Sequence, residues 1–493
     1  MSNRVRFAPS PTGYVHVGSL RTALYDYMFA KKTGGKYILR IEDTDRTRLV
    51  DDALENLIGA FEWANIMHDE GPFLENGVWL QKGDFGPYVQ SERLETYRPY
   101  VDQLIESGHA YYCFCTRERL DEVREANKAK GIISGYDGHC RDLDSEEAKK
   151  RVEAGEAYVV RMKMPKNREL VFEDLVRGQV KMNTDDSDDQ VILKADGFPT
   201  YHMAVVVDDH LMGITHMIRG EEWLPSTPKQ IILYEALGWE VPKFVHLPNI
   251  LNTEKKKLSK RHDSVAVEDF KKKGYLPEAL INFLALVGWS PEGEDEIMTL
   301  EEMTKKFSFE RVSKSAGVFD IQKLNWMNNQ YIKKTDTKRL TDLAMPYLVE
   351  AGILDASSTG DHFQWLYRIV DLVKEKLDYM SQITDYLPMF IDHDINITED
   401  SALEMIKLDH VPALIEALTE AFEAAEGFLA PEIKSMFKEV QKATGIKGKN
   451  LFMCSRIAIT GQEHGPDLME TISVLGKEAT IKRMLEVKNK YCA

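Results

Sequence analysis

Val5-Arg6-Phe7-Ala8-Pro9-Ser10-Pro11-Thr12-Gly13-Tyr14-Val15-His16-Val17-Gly18-Ser19 is the stretch that decides the fold. Its first four residues form a short, largely apolar segment. After Ser19, the residues Leu20, Leu24, Tyr27 and Met28 recur at the spacing of one buried helix face. The stretch therefore reads as a strand, a loop and the start of a helix. Pro and Gly fix the turn, and Gly18 lets a ligand approach backbone where a helix N-terminus presents free N–H groups and a partial positive charge. Further on, Tyr37-Ile38-Leu39-Arg40-Ile41 is a second strand-like run ending in Glu42-Asp43, which makes the opening a β-α-β unit with parallel strands. Ligands bind such sheets at the carboxyl ends of the strands, and His16 and Glu42 fall there.

A second cationic element lies far downstream, at Lys257-Leu258-Ser259-Lys260-Arg261. Its charges suit the negative charge that develops on departing phosphates, so the two elements together point to a bound triphosphate. The chain has 493 residues, which at roughly 150 residues per domain suggests about three domains or more. A hydrophobic content of 43% fits a globular protein. No apolar run approaches a membrane helix, the N-terminus lacks the apolar region of a signal peptide, and a soluble cytoplasmic protein is expected. Lys and Arg total 63 against 80 Asp and Glu, a net charge of −17, so any contact with a nucleic acid has to be local. Lys447, Lys449 and Arg456 form one such basic patch, beside the lysine runs at 255–257 and 271–273.

The two motifs resemble the HIGH and KMSKS elements of class I aminoacyl-tRNA synthetases, here as His16-Val17-Gly18-Ser19 and Lys257-Leu258-Ser259-Lys260-Arg261. The flanking runs Arg40-Ile41-Glu42-Asp43-Thr44-Asp45, Tyr201-His202-Met203-Ala204, Val207-Asp208-Asp209-His210 and Ile218-Arg219-Gly220-Glu221-Glu222-Trp223 resemble bacterial glutamyl-tRNA synthetase. So do Leu451-Phe452-Met453 and Arg456-Ile457-Ala458-Ile459-Thr460-Gly461, and the likeness covers nearly the whole chain. It implies a glutamate–tRNA ligase that makes glutamyl-adenylate from ATP and glutamate, with Mg²⁺ on the phosphates, and passes glutamate to the terminal adenosine of tRNA(Glu). The implied catalytic residues are His16, Gly18, Lys257 and Lys260. The resemblance gives Arg6, Ala8, Ser10, Glu42, Tyr201 and Arg219 to glutamate, leaving open which arginine meets which carboxylate. It gives His16, Gly18, Ser19, Glu222, Leu258, Ser259 and Lys260 to ATP, and Lys447, Lys449 and Arg456 to tRNA. Trp223 is left open between pocket and core. One departure is Val205, where many family members carry a polar residue, often Asn.

The implied fold is an α/β Rossmann-type nucleotide-binding domain with an inserted α/β domain, followed by an all-α C-terminal region. The expected boundaries are 1–97 plus 191–250 for the Rossmann domain and 98–190 for the acceptor-binding insertion. A stem-contact domain at 251–335 and helical anticodon-binding subdomains at 336–395 and 396–493 follow. The sheet is expected to resume at Val191-Ile192-Leu193. Cys113, Cys115 and Cys140 resemble a zinc site found in the insertion of some family members, and two close thiols with a distant third suit tetrahedral zinc. Asp142, Tyr136 and His139 are the candidates for the fourth ligand, with Tyr136 taken as the site residue. A monomer is expected. The rival readings are an enzyme that also charges tRNA(Gln), a glutamyl transferase that modifies queuosine, a small-substrate nucleotidyltransferase and a catalytically silent tRNA-binding protein. The long helical third and the intact His16, Gly18 and Lys260 weigh against the last three.

Overall fold

The computed structural model describes residues 2–44, 49–129, 135–258, 265–354, 361–391 and 394–492. They divide into two compact units, 1–271 with 277–321 and 272–276 with 322–493.

The first unit is built on the expected β-α-β opening. Strand β1 (Arg4–Phe7) runs into helix α1 (Val17–Thr33), and β2 (Lys36–Leu39) returns parallel to β1 with Val5 opposite Tyr37. His16 caps α1: its Nδ1 accepts the Gly18 N–H at 2.9 Å. Gly34, at φ 63°, ends the helix in the left-handed conformation that glycine adopts without steric cost. Leu20, Leu24 and Met28 are fully buried as their spacing predicts, while Tyr27 is only half-buried.

A hairpin of β3 (Gly71–Glu75) and β4 (Val78–Lys82) follows, then β5 (Ala110–Cys113), β6 (Val159–Met162), β7 (Glu169–Asp174), β8 (Gly178–Asn183), β9 (Val191–Leu193), β10 (His216–Gly220) and β11 (Lys243–Leu247). The main sheet has six strands in the order β2-β1-β10-β11-β7-β8, parallel except for the β7–β8 hairpin. Two features depart from expectation. Hairpin β7–β8, inside the segment expected to be insertion, pairs with β11 and extends the main sheet, with Phe172 packed edge-on against Phe244 at 5.6 Å. Strand β9, expected to resume the main sheet, pairs instead with β6 in a separate three-stranded sheet. Apolar content alone does not say which neighbour a three-residue strand will take. The segment Ala204–Val207 lies within helix α2 (Tyr201–Leu211).

The second unit is helical, and no strand occurs among its described residues. The division falls earlier than the expected boundary at 335, because the helix Ile321–Lys334 is tied into this unit. Asn328 accepts the Leu276 N–H at 2.9 Å, and Asn329 donates to the Leu377 carbonyl at 2.9 Å. One apolar core, including Leu414, Phe422, Phe437, Leu451, Ile457 and Met484, joins the helices from residue 395 onward. Among the described residues no helix is long and apolar enough to cross a membrane.

Candidate active site

A cavity of about 870 Å³ opens at the carboxyl ends of β1, β10 and β11. The structure brings to its wall Arg6, Ala8, Ser10, Glu42, Tyr201 and Arg219, and also His16, Gly18, Ser19, Glu222, Lys257 and Leu258. Ser259 and Lys260 lie outside the described residues. Sequence segments more than two hundred residues apart therefore share one cavity. The backbone ties the loop together as well: Val17 N–H bonds the Val265 carbonyl and Val267 N–H the Val15 carbonyl, each at 2.9 Å.

The phosphate-loop geometry follows from the helix cap. With His16 Nδ1 accepting from Gly18, a neutral imidazole carries its proton on Nε2, so that nitrogen is a donor. A Cβ added at Gly18 would come within 3.1 Å of that Nδ1, so glycine lets the ring lie across the helix start. Arg21, one turn further on, also lines the cavity. It is buried, with its guanidinium held by the carbonyls of Val287 at 3.1 Å and Pro248 at 2.5 Å. Arg21 is not legible in the sequence, since an arginine on the buried face of a helix looks like an exposed residue out of phase.

The floor of the cavity is a buried charge cluster. Asp209 Oδ1 accepts Arg6 Nε at 3.1 Å and Arg40 Nη1 at 2.6 Å, and Arg40 Nη2 reaches Glu42 Oε1 at 3.0 Å. Asp208 binds Arg93 Nε at 2.7 Å and also accepts from Gln90 and Tyr97. Burial alone would lower the Arg6 and Arg40 pKa values, but Asp209 and Glu42, with Tyr201 beside Arg6 and Asp208 beside Arg40, together outweigh it and both stand above the ordinary arginine range. Burial raises the Glu42 carboxyl against the pull of Arg40 and Arg6. The Arg40–Glu42 contact is a buried ion pair that leaves Glu42 on the cavity wall.

Arg219 differs from the other three arginines. It is 5% exposed, its Nε bonds His246 and its Nη2 bonds Thr227, each at 3.0 Å, and no carboxylate among the described residues pairs with it. Its Nη1 is buried without a hydrogen-bond partner. Burial lowers its pKa, and the neighbouring Tyr201 acts in the opposite sense. Arg6 and Arg40 pair with Asp209 and Arg93 with Asp208, whereas Arg219, like Arg21, pairs with no carboxylate among the described residues. Asp26 is buried with neither carboxyl oxygen hydrogen-bonded, and burial raises its pKa well above the usual range. Tyr201 stacks on Trp223 at 4.4 Å and 28°; Trp223 is 36% exposed and lines the cavity, which settles it as a wall residue.

Two sequence models cover most of the chain. One, described as tRNA synthetases class I (E and Q), catalytic domain, matches residues 2–326, and an anticodon binding domain matches 339–488. A glutamate–tRNA ligase of Clostridioides difficile (strain 630) is 57% identical over 490 residues, covering 99% of each chain. The chain belongs to the class I glutamate–tRNA ligase family. A second ligase of this name, from Alkaliphilus metalliredigens (strain QYMF), is 56% identical over 487 residues, again 99% of each. The crystal structure of a glutamate tRNA ligase from Elizabethkingia meningosepticum CCUG26117, in complex with its amino acid, matches the enzyme at a TM-score of 0.89 with 37% identity, covering all of both chains.

Outside the cavity, the three clustered thiols come together. Their sulfur atoms lie within 4.8 Å of one another, with Cys115 and Cys140 at 3.6 Å. The Tyr136 hydroxyl is 3.6 Å from Cys113 Sγ and accepts the Cys140 N–H at 3.0 Å. His139 is exposed, and Asp142 points to solvent beside Lys163, so Tyr136 is the one fourth-ligand candidate beside the thiols. Burial works to raise the Cys113 pKa, yet the Cys115 N–H, the Tyr136 hydroxyl and Arg161 together bring it below the usual thiol value.

In the helical unit, Arg456 lines a separate cavity of about 810 Å³ with Lys434 and Lys438, floored by the parallel rings of Phe437 and Phe452 at 5.8 Å. Lys447 and Lys449 are exposed and lie outside its lining. No pattern in the sequence marks this cavity, because lysines on a helix face look the same whether or not they rim one.

Proposed function

We propose that this enzyme activates L-glutamate with ATP and transfers it to the 3′-terminal adenosine of tRNA(Glu) in the cytoplasm. One observation carries the amino-acid assignment: the buried, uncompensated charge at Arg219. Glutamate has two carboxylates and one ammonium, so it can bring a carboxylate to a buried guanidinium that has none. A buried cation without a counter-ion is costly, and a ligand that supplies one gains what the free protein lacks. Arg6 and Arg219 take the two carboxylates, Glu42 and Ser10 the ammonium, Tyr201 a hydrogen bond, and Ala8 exposes its backbone to the substrate.

A carboxylate oxygen of glutamate attacks the α-phosphorus of ATP, the bond to the bridging oxygen breaks, and pyrophosphate leaves with Mg²⁺ brought in on the substrate. His16 Nε2–H donates to the phosphates, Lys257 and Lys260 offset their charge, and Ser19, Glu222, Leu258 and Ser259 hold the nucleotide. The 2′-hydroxyl of the tRNA ribose then attacks the anhydride carbonyl and AMP departs. Positioning and electrostatics supply the acceleration, with no covalent enzyme intermediate. Lys447, Lys449 and Arg456 hold the tRNA in the helical region.

The cysteine cluster fits zinc. With Zn–S bonds of about 2.3 Å, tetrahedral thiolates stand about 3.8 Å apart, close to the Cys115–Cys140 separation of 3.6 Å. Cys113, Cys115, Cys140 and Tyr136 would hold the ion, which would fasten the loop around Tyr136 to β5 as a structural link.

The test is aminoacylation with labelled glutamate on purified tRNA(Glu) and, separately, tRNA(Gln), together with glutamate-dependent ATP–pyrophosphate exchange in the presence of tRNA. Charging of tRNA(Glu) supports the assignment, and charging of both would make the enzyme non-discriminating. No glutamate-dependent exchange and no charging would refute it.

A further inference from the structure

Behind Arg219 runs a chain of buried polar groups that none of the assigned roles uses. Arg219 Nε donates to His246 Nε2 at 3.0 Å, so the imidazole keeps its proton on Nδ1. That nitrogen donates to Asp174 Oδ2 at 2.7 Å, and the same oxygen takes the His246 backbone N–H at 3.0 Å. Asp174 Oδ1 accepts the backbone N–H groups of Val176 at 2.9 Å and Arg177 at 2.8 Å. Every member is buried: His246 and Thr227 fully, Asp174 nearly so. Asp174 is the last residue of β7, so the turn of the β7–β8 hairpin is the anchor. The same turn reaches the cavity a second way. Arg177 pairs with Glu221, whose Oε1 accepts the Asn249 N–H at 2.8 Å, and Asn249 lines the cavity.

The middle member has to be neutral. A carboxylate in the place of His246 would hold Arg219 equally well but would cancel the charge that draws the substrate anion. A neutral imidazole accepts from Nε and keeps the nearest carboxylate of the chain, Asp174, one ring away from the guanidinium. Burial depresses the His246 pKa although Asp174 opposes this, so the ring stays neutral near pH 7. With Nε on His246 and Nη2 on Thr227, and the Tyr201 hydroxyl beside the group, the guanidinium plane is fixed before any ligand arrives. Preorganisation of this kind lowers the entropy lost on binding.

We propose that Asp174 and His246 are positioning residues for glutamate, a chain from the turn of the β7–β8 hairpin that orients Arg219 while leaving its charge available to the substrate. This rests on the glutamate assignment above. The measurement is the KM for glutamate and, separately, for ATP in tRNA charging at saturating levels of the other substrates, with the thermal midpoint of each variant. Loss of an oriented, charge-assisted contact predicts a glutamate KM raised about tenfold to a hundredfold in His246→Phe, with the ATP KM changed less than about twofold. His246→Gln keeps a neutral acceptor for Arg219 and should recover a KM within about threefold of wild type, whereas His246→Asp should lose glutamate binding. Asp174→Ala should raise the glutamate KM, and the double variant with His246→Phe should be no worse than His246→Phe alone, since both act through one chain.

Equal rises in both KM values, additive effects of the two substitutions, or a wild-type glutamate KM in His246→Phe would overturn the proposal. If His246→Phe does not fold, the Gln and Asp substitutions carry the test, because they differ in charge at one position: similar glutamate KM values for both would overturn it. Failure of the wild-type enzyme to charge tRNA with glutamate would overturn the assignment itself, and the positioning role with it.

Discussion

Replacing Arg219 with Met removes a buried charge that no carboxylate among the described residues pairs with while keeping much of the side-chain volume, and the consequences differ between the free and bound protein. In the complex, a substrate carboxylate loses its buried partner. Truncating one side of such a pair costs about 2–5 kcal/mol, which is a rise of about 30- to 5,000-fold in the KM for glutamate. In the free enzyme two effects compete. The bonds to His246 and Thr227 are lost, roughly 1.5–3 kcal/mol each for hydrogen bonds from a charged donor. Against that, the protein no longer buries a guanidinium without a counter-ion, a penalty of several kcal/mol. The free variant should therefore melt close to wild type. Adding glutamate at about a hundred times its Kd should stabilise wild type by about 2.7 kcal/mol, and at the same concentration it should stabilise the variant by less than about 1 kcal/mol. The assays are glutamate titrations of tRNA charging and thermal melting with and without glutamate. A free-protein midpoint that collapses in step with activity, or a wild-type KM in the variant, would refute the charge argument.

Three further outcomes follow from other sites. Zinc analysis of protein purified without chelators should find about one ion per chain, and Cys140→Ser should lose it while leaving the cavity residues in place; a zinc-free wild type ends that assignment. Burial pushes the pKa values of His68 and His216 down to about 4, against about 6.5 in the unfolded chain. The folded state thus binds fewer protons, and the stability these residues confer is complete above pH 6.5 and lost as pH falls towards 4. The melting midpoint should drop over that window, and the drop should shrink in His68→Gln. Lys447→Ala and Lys449→Ala should each weaken tRNA binding and lessen its log–log salt dependence by about 0.7–0.9; an unchanged slope would remove these lysines from the interface.

What the sequence disclosed depended on whether local chemistry or distant partnership set a residue's place. His16, Gly18 and the helix after them were legible because a cap, a glycine and a helical repeat are short-range patterns. Glu42 was placed by the end of an apolar run. Arg6, Tyr201 and Arg219 could be gathered by resemblance, but no spacing shows that Arg219 lacks a carboxylate partner while Arg6 has one in Asp209, 203 residues away. Asp174 and His246 escaped notice for the same reason: an Asp in Phe-Glu-Asp-Leu and a His in Val-His-Leu-Pro are unremarkable until β7 and β11 pair. Edge strands were the weakest part. The hairpin β7–β8 and the short β9 each had the composition to join either sheet, and their places were decided by partners such as Phe244 and Val160.

Val205 shows how the charge cluster bears on substrate choice. On α2 the residues Tyr201, Val205 and Asp209 follow one another at helical spacing along one face. Tyr201 lines the cavity and Asp209 binds Arg6 and Arg40, while Val205 is fully buried in the apolar core with Met203 and Val206 and does not reach the cavity wall. An amide there would be a neutral dipole and would leave the charge count unchanged. The preference for an anionic amino acid therefore does not depend on that position. In the proposed assignment it rests on Arg219, which pairs with no carboxylate among the described residues. Glutamine would bring one carboxylate where glutamate brings two. The valine places apolar packing between Tyr201 and Asp209 on α2, and the proposed discrimination falls to Arg219.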